Sequence, residues 1–428
     1  MPSDAPVTSS DTTEAWAIDA DRRDPLRACR DLFHIPKIND RDSVYMCGNS
    51  LGLQPRATRA AIEQELDDWR DLGVDAHHHG AHPWMPYHEQ LREPAARLVG
   101  ALPSEVVMMN SLSVNLHLLM VSFYRPTPGR HKILIEDDAF PSDSYAVASQ
   151  LRFHGYDPAE ALVRVRPRPG ERAIRTEDLC ELIEREGESI ALVMLGGVNY
   201  LVGQLFHMEQ ITACAHRQGA MVGWDLAHAA GNVPLRLHDW GPDFAAWCSY
   251  KYLNSGPGAV AGAFVHQRHL GVDLPRFEGW WGTNQSTRFR MDKTFDPPPS
   301  ADAWQLSNPP ILAMAPVRVS LEIFDKVGME AIREKSLRLT GYLEFLLRER
   351  LGDRVEIWTP GDPDQRGAQL SLSVRGASRE LQRALHEDGV VCDFREPDVI
   401  RVAPTALYNT FHDVWVLCDR LARRLGVA

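Results

Sequence analysis

Residues 221–262 read MVGWDLAHAAGNVPLRLHDWGPDFAAWCSYKYLNSGPGAVAG, and this window decides the fold. Met221–Asp225 is a short apolar run that closes on a carboxylate, with His228 three residues further on. Asp243–Lys251 (DFAAWCSYK) is a second apolar run, and it closes on a lysine. Gly256-Pro257-Gly258 then turns the chain into a third run, Ala259–His266. Short continuous apolar runs bounded by turn residues fit strands buried on both faces. Outward from the window the same pattern predicts strands over Val106–Asn110, Lys132–Glu136 (KILIE) and Ile190–Leu195. Helices are predicted between them, over Ser111–Ser122, Ser142–His154 and Met208–Gln218. Pro55–Leu72 predicts a further helix with Ile62, Leu66 and Trp69 on its apolar face, closed by Gly73. Such alternation implies a mostly parallel sheet covered by helices on both faces.

The tail reads differently. One long helix is predicted over Val317–Arg350, then strands at Val355–Trp358 and Gln369–Val374. A helix near Ser378–Glu387, strands at Val390–Phe394 and Val399–Val402, and a closing helix from His412 follow. Asp296–Ser300 (DPPPS) and Asn308–Pro310 are stiff connectors between the two patterns. The expected fold class is α/β, with a large mostly parallel sheet domain and a smaller α/β C-terminal domain. The expected boundaries are a flexible arm over 1–20 and a segment over 21–75 that packs with the small domain. The large domain is expected over 76–310 and the small one over 311–428.

Composition bounds the function. The 428 residues are 44% apolar and 24% charged, which is ordinary for a globular chain with a large core. Acidic residues outnumber basic ones, 58 against 46, giving a net charge of −12 that disfavours nucleic acid as a partner. No apolar run approaches the roughly 20 residues that a membrane helix needs. Seven cysteines without a Cys-x-x-Cys pair predict thiols in a reducing compartment. The Ser/Thr/Asp-rich stretch Met1–Glu14 lacks a signal peptide's apolar region, so a cytoplasmic protein is expected.

A carboxylate and a lysine at the C-terminal ends of neighbouring strands lie where open α/β sheets bind ligands. Pyridoxal 5'-phosphate (PLP) has use for both. Its aldehyde condenses with a lysine, and its ring nitrogen works best protonated, opposite a carboxylate. Taken singly, Asp225 could be a helix cap and Lys251 a surface residue; together they favour the cofactor.

Beyond these residues the chain resembles the fold type I PLP enzymes and, within them, the kynureninases. The resemblance rests on CGNSLGLQP (47–55), NSLSVNLHLLM (110–120), FPSD (140–143), WDLAHAAGN (224–232), CSYKYLNSGPG (248–258), GWWG (279–282), SNPPI (307–311) and RVAPTALYN (401–409). It implies hydrolysis of the Cβ–Cγ bond of kynurenine or 3-hydroxykynurenine to the anthranilate and alanine, in tryptophan catabolism and NAD biosynthesis. Lys251, Tyr250 and Asp225 are the catalytic residues it implies. Leu112 and Ser113 would meet the phosphate at a helix N-terminus. Phe140, Pro141, Ser142, Asp143 and His228 would surround the ring, and Trp280 and Asn308 would reach the cofactor from a second subunit of a homodimer. Ser50, His77, Trp281, Asn308 and Arg401 would line the substrate pocket, Arg401 gripping the carboxylate. His77 and Asn308 together predict a preference for the 3-hydroxylated substrate. The loop at Gly196-Gly197 offers only backbone where relatives carry a side chain, so its contact stays open.

Rival readings are an aminotransferase, a cysteine desulfurase, and a metal protein using HHHGAH (77–82). A desulfurase needs a mobile late cysteine; Cys392 sits in an apolar run and Cys418 on a helix. No Cys or carboxylate near the histidines completes a zinc spacing, so no metal is expected.

Overall fold

The computed structural model describes residues 12–374 and 379–427. Its large sheet contains β1 (Val106–Met108), β2 (Lys132–Glu136), β3 (Leu162–Val165), β4 (Ile190–Gly196), β5 (Met221–Asp225), β6 (Phe244–Trp247) and β7 (Gly262–Val265). The strand order is β1-β7-β6-β5-β4-β2-β3. Neighbours from β6 to β3 pair in parallel, whereas β7 is antiparallel to both β6 and β1. The sheet is therefore mostly parallel, as the alternating pattern implies. β3 was not predicted. It is an edge strand with Arg164 exposed, so it lacks the fully apolar run of its neighbours.

The helices used below are α1 (Glu14–Arg23), α2 (Thr58–Leu72), α3 (Tyr87–Val99), α4 (Leu112–Phe123), α5 (Pro141–Phe153), α6 (Thr176–Glu186), α7 (Met208–Arg217), α8 (Ile311–Val327), α9 (Met329–Leu351), α10 (Arg379–Glu387) and α11 (Phe411–Arg424). Alternate residues along each strand feed opposite faces of the sheet. Val193, Leu195 and Trp224 join Leu91, Leu179, Ile211 and Leu321 on one side. Leu192, Met194 and Phe244 join Leu116, Leu119, Val147 and Leu151 of α4 and α5 on the other.

A second, antiparallel sheet contains β8 (Val355–Ile357), β9 (Leu370–Val374), β10 (Asp393–Arg395) and β11 (Val399–Val402), in the order β8-β9-β11-β10. Leu343, Leu347, Leu385, Leu417 and Leu421 of α9, α10 and α11 cover it. Thr410 and Asp413 form a reciprocal capping box that starts α11. The chain before α2 belongs largely to this lobe. Val44–Tyr45 pairs with Val390–Val391, and the buried pair Lys335–Asp24 closes at 2.7 Å.

Five expectations are corrected. The long helix over Val317–Arg350 is two helices, because Gly328 between them adopts φ +83°. Residue 311, where the small domain was expected to begin, starts α8, whose Met314, Val317 and Leu321 join the large core. The small cluster takes up the chain from Leu339. The arm over 1–20 ends earlier than expected: residues 1–11 lie outside the described residues, but α1 packs Ala17 and Ala20 into the small lobe and sets Trp16 against Tyr342. On α2, Leu66 and Trp69 are exposed, and the buried face carries Ala61, Glu65 and Asp68. Glu65 is buried because it accepts from Trp84 Nε1 at 2.9 Å and from the Tyr87 hydroxyl at 3.1 Å. Lastly, the seven cysteines are not all thiols. α6 and α7 lie side by side, and Cys180 and Cys214 are joined as a disulfide with Cα atoms 5.8 Å apart.

Candidate active site

The C-terminal ends of β2, β4 and β5 open into a cavity of about 380 Å³ between the large sheet and the small lobe. Asp225 ends β5, and Lys251 follows β6 after a short loop, so the two predicted residues meet in this cavity. Ser50, Leu112, Ser113, Phe140, Ser142, Asp143, His228, Tyr250 and Arg401 also line it. Lys251 Nζ lies 3.0 Å from His228 Nε2 and 5.8 Å from the centre of the Phe140 ring. The lysine loop is fixed from outside: Gly52 donates its N–H to Tyr250 O at 2.8 Å. A Cβ on Gly52 would sit 2.3 Å from Lys251 O, so only glycine allows this approach.

The polar groups divide the cavity into an anion end and an acid end. At the anion end, α4 and α5 present their N-termini, and Ser113 Oγ lies 2.8 Å from Ser142 Oγ. Ser111 caps α4 without a side-chain hydrogen bond, leaving N–H groups of the first turn available. That donor set suits a phosphate. At the acid end, Glu136, Asp143 and Asp225 are all buried. Burial pushes Asp143 and Asp225 above the usual carboxylate range, Asp143 furthest because it also faces the charges of Asp225 and Glu136. Asp225 Oδ1 also accepts the Ala227 N–H at 2.7 Å. Burial, then the charge of Lys251, holds His228 well below its ordinary value, so its ring is neutral. Burial and the neighbouring Cys248 push Tyr250 up to about 12.

Glu136 was missed because KILIE reads as a plain strand; only its place at a strand end beside the site could have flagged it. Burial pushes it up to about 7, while Gly196 N–H donates to its Oε1 at 3.0 Å. A carboxyl raised above its unfolded value of 4.5 holds its proton more tightly in the fold. Its contribution is then full below about 4.5 and is lost as pH rises through about 7, amounting to roughly 3 kcal/mol. Glu136→Gln keeps an acceptor for Gly196 and should flatten this part of the pH dependence. Urea unfolding at pH 5 and pH 8 checks it; identical pH slopes for variant and parent would exclude Glu136 as the group.

The loop after β4, left open by the sequence, contributes Gly196, Val198, Asn199 and Tyr200 to the cavity. Tyr200 packs its ring edge-on to Phe140, with centres 5.1 Å apart. The small lobe holds this loop by its carbonyls. Arg401 Nη1 donates to Tyr200 O at 2.6 Å, Gln369 to Tyr200 O at 3.0 Å, Ser371 to Leu201 O at 2.5 Å, and Thr359 to Val202 O at 2.6 Å. Asn49, Ala227 and Arg395 also line the cavity, unpredicted.

Five predicted residues do not line the cavity. Pro141 is exposed at the first turn of α5. Trp281 is buried under the Arg288 guanidinium, 4.2 Å from its ring centre. His77 stacks edge-on with Trp84, Asn308 is exposed ahead of α8, and Trp280 is exposed and packs on Phe289. His77, Trp280 and Asn308 share a neighbourhood. Trp281 N–H donates to Leu306 O two residues from Asn308, and Trp84, Pro310 and Ile311 line an apolar groove beside them.

Cys392 and Cys418 are buried, and burial pushes both thiols up to about 12. Among the described residues the group that could hold a metal is Glu105, His238 and His266, outside HHHGAH. Glu105 already accepts from Gln267 N and Leu102 N, and His266 Nδ1 from Arg268 N.

Solved structures share the fold. The cysteine desulfurase CsdA from Escherichia coli superposes with a TM-score of 0.76 at 19% identity, over 94% of this chain and 98% of that one. A C-DES variant with glycine covalently linked to the PLP cofactor gives 0.75 at 18% identity, over 89% and 96%. The architecture is that of the fold type I PLP-dependent enzymes. Residues 332–421 match the family model of the kynureninase C-terminal domain. The chain is 60% identical over 405 residues to a kynureninase from Myxococcus xanthus, covering 94% of this chain and 95% of that protein. It is 57% identical over 418 residues to one from Koribacter versatilis, covering 97% and 99%. The chain belongs to the kynureninase family.

Proposed function

We propose that the chain uses PLP to hydrolyse the Cβ–Cγ bond of kynurenine and 3-hydroxykynurenine, releasing the anthranilate and L-alanine. The meeting of Lys251 and Asp225 with paired helix N-termini in one cavity, within a chain of this family, carries the reading. Bound PLP supplies an electron sink for the substrate carbon next to the amine. The residues present fit it: the Ser113 and Ser142 end would take the phosphate, Asp225 would partner the ring nitrogen, and Lys251 and Phe140 would flank the ring.

Asp225 would hold a proton on that nitrogen, with Asp143 buried beside it. Lys251 Nζ takes the proton from the substrate α-carbon, and neutral His228, 3.0 Å away, does not compete with it for charge. Tyr250, held protonated by burial, returns a proton to the β-carbon as the Cβ–Cγ bond breaks. Water supplies the oxygen that leaves on the anthranilate. Arg401 grips the α-carboxylate.

A homodimer accounts for the displaced residues. Exposed Phe289 packs on Trp280, exposed Trp69 and Leu312 line the apolar groove near Asn308 and His77, and exposed apolar side chains of this kind mark an interface. A second copy docked there would receive these side chains into its own cavity. Sedimentation equilibrium should return twice the 48.1 kDa chain mass; a monomer at micromolar concentration would remove this account.

Incubation with kynurenine and, separately, with 3-hydroxykynurenine tests the function. Fluorescent anthranilate and alanine should appear in equal amounts, with the higher kcat/KM on the 3-hydroxylated substrate if His77 and Asn308 bond its phenol. No alanine from either compound would overturn the function; equal rates would overturn only the preference.

A further inference from the structure

Arg401 is held in an unusual way for a residue that must receive a ligand. It is 1% exposed on β11 and stands directly across the ladder from Asp393 of β10. Opposed residues on antiparallel strands put their side chains on one face. Arg401 Nη2 accordingly donates to Asp393 Oδ2, while Nη1 donates to Tyr200 O. Arg395, two residues along β10 and so on the same face, donates through Nη2 to the same Asp393 oxygen at 3.1 Å. Two guanidiniums thus share one carboxylate oxygen, and the trio keeps a net positive charge at the cavity wall. Among the described residues, the buried Nε of Arg401 and that of Arg395 have no hydrogen-bond partner. A buried guanidinium donor without a partner is costly unless a ligand supplies one.

We propose that Asp393 is a positioning residue for substrate recognition: it ties Arg401 by one terminal nitrogen and leaves the Nε donor for the incoming α-carboxylate. The inference rests on the reading of Arg401 as the carboxylate receptor. Without Asp393, Arg401 keeps its charge and its bond to Tyr200 O but can swing on the freed side. Asp393 lies between two cations, and its own charge also keeps them from repelling each other. Its role is one of aim rather than contact, since its lone pairs are turned to the arginines and would repel the substrate's carboxylate.

The test compares kynurenine with its decarboxylated amine, kynuramine, as ligands of the PLP-loaded enzyme. The parent should bind kynurenine the more tightly. Asp393→Asn should raise the KM for kynurenine by roughly tenfold to a hundredfold. The inhibition constant of kynuramine, the PLP affinity and kcat should each stay within about threefold, well inside one tenfold step. Asp393→Glu keeps the charge one methylene further out and should lose part of the preference, so the proposal stays testable if the Asn variant fails to fold. Unchanged preference in either folded variant, or equal weakening of both ligands, overturns the role of Asp393. Arg401→Gln separates the premise: if it still prefers kynurenine over kynuramine, the receptor assignment itself fails. If Arg401→Gln loses the preference while the Asp393 variants keep it, only the positioning role falls.

Discussion

Replacing Lys251 with alanine should abolish turnover and remove the visible absorbance of lysine-bound cofactor, while the protein stays folded. The side chain lines the cavity and touches His228 and the Phe140 face, so its loss removes no core packing. On the proposed reading it removes the amine that anchors the cofactor and takes the α-proton, and His228, held well below its ordinary value by burial, is a weaker base in its place. Activity is expected to drop to background and the absorbance spectrum to that of free PLP. Retained lysine-type absorbance in the variant would refute the assignment of Lys251.

The second large effect is expected from Asp225→Asn. The buried carboxylate ends β5 and already accepts the Ala227 N–H, so the amide can keep the backbone contact through its oxygen. The charge, however, is lost where it matters most, since an anion in a buried site stabilises a nearby cation far more than one in water. kcat should fall by roughly 10²–10³-fold, the usual range for removing one preorganised electrostatic partner. PLP should still bind through the Ser113 and Ser142 end. Equilibrium dialysis with stopped-time product assays separates the two effects; a variant with near-parental kcat would show that the ring nitrogen does not depend on Asp225.

Much of the fold is legible in the sequence. Strands buried on both faces announce themselves as continuous apolar runs, which is why β2, β4 and β5 were placed to within a residue. β3 was hidden because an edge strand is half exposed, and LVRV carries no such run. α2 misled for a physical reason: its buried face is polar, with Glu65 satisfied by Trp84 and Tyr87, so hydrophobic patterning pointed the wrong way. The break at Gly328 depends on one positive φ that a helix-forming context disguises. In the site, most predicted lining residues lie inside the quoted motifs, although Pro141, Trp280, Trp281 and Asn308 of such motifs stand outside the cavity. Glu136, Tyr200 and Arg395 come from three separate stretches outside those motifs, and nothing in a linear reading brings them to one cavity, whereas Asn49 lies inside CGNSLGLQP beside Ser50.

The carbonyls of Tyr200, Leu201 and Val202 face donors from Thr359, Gln369, Ser371 and Arg401, all in the C-terminal lobe. This seam sets a rule for recombining relatives. A chimera that takes its C-terminal lobe from one parent and its large sheet from another will inherit a mismatched seam unless residues 199–203 travel with the lobe. Crossovers placed within α9 alone, though far from the cavity and clean in the linear map, would therefore disturb the wall that carries Tyr200. Those that also exchange the short loop should keep it intact.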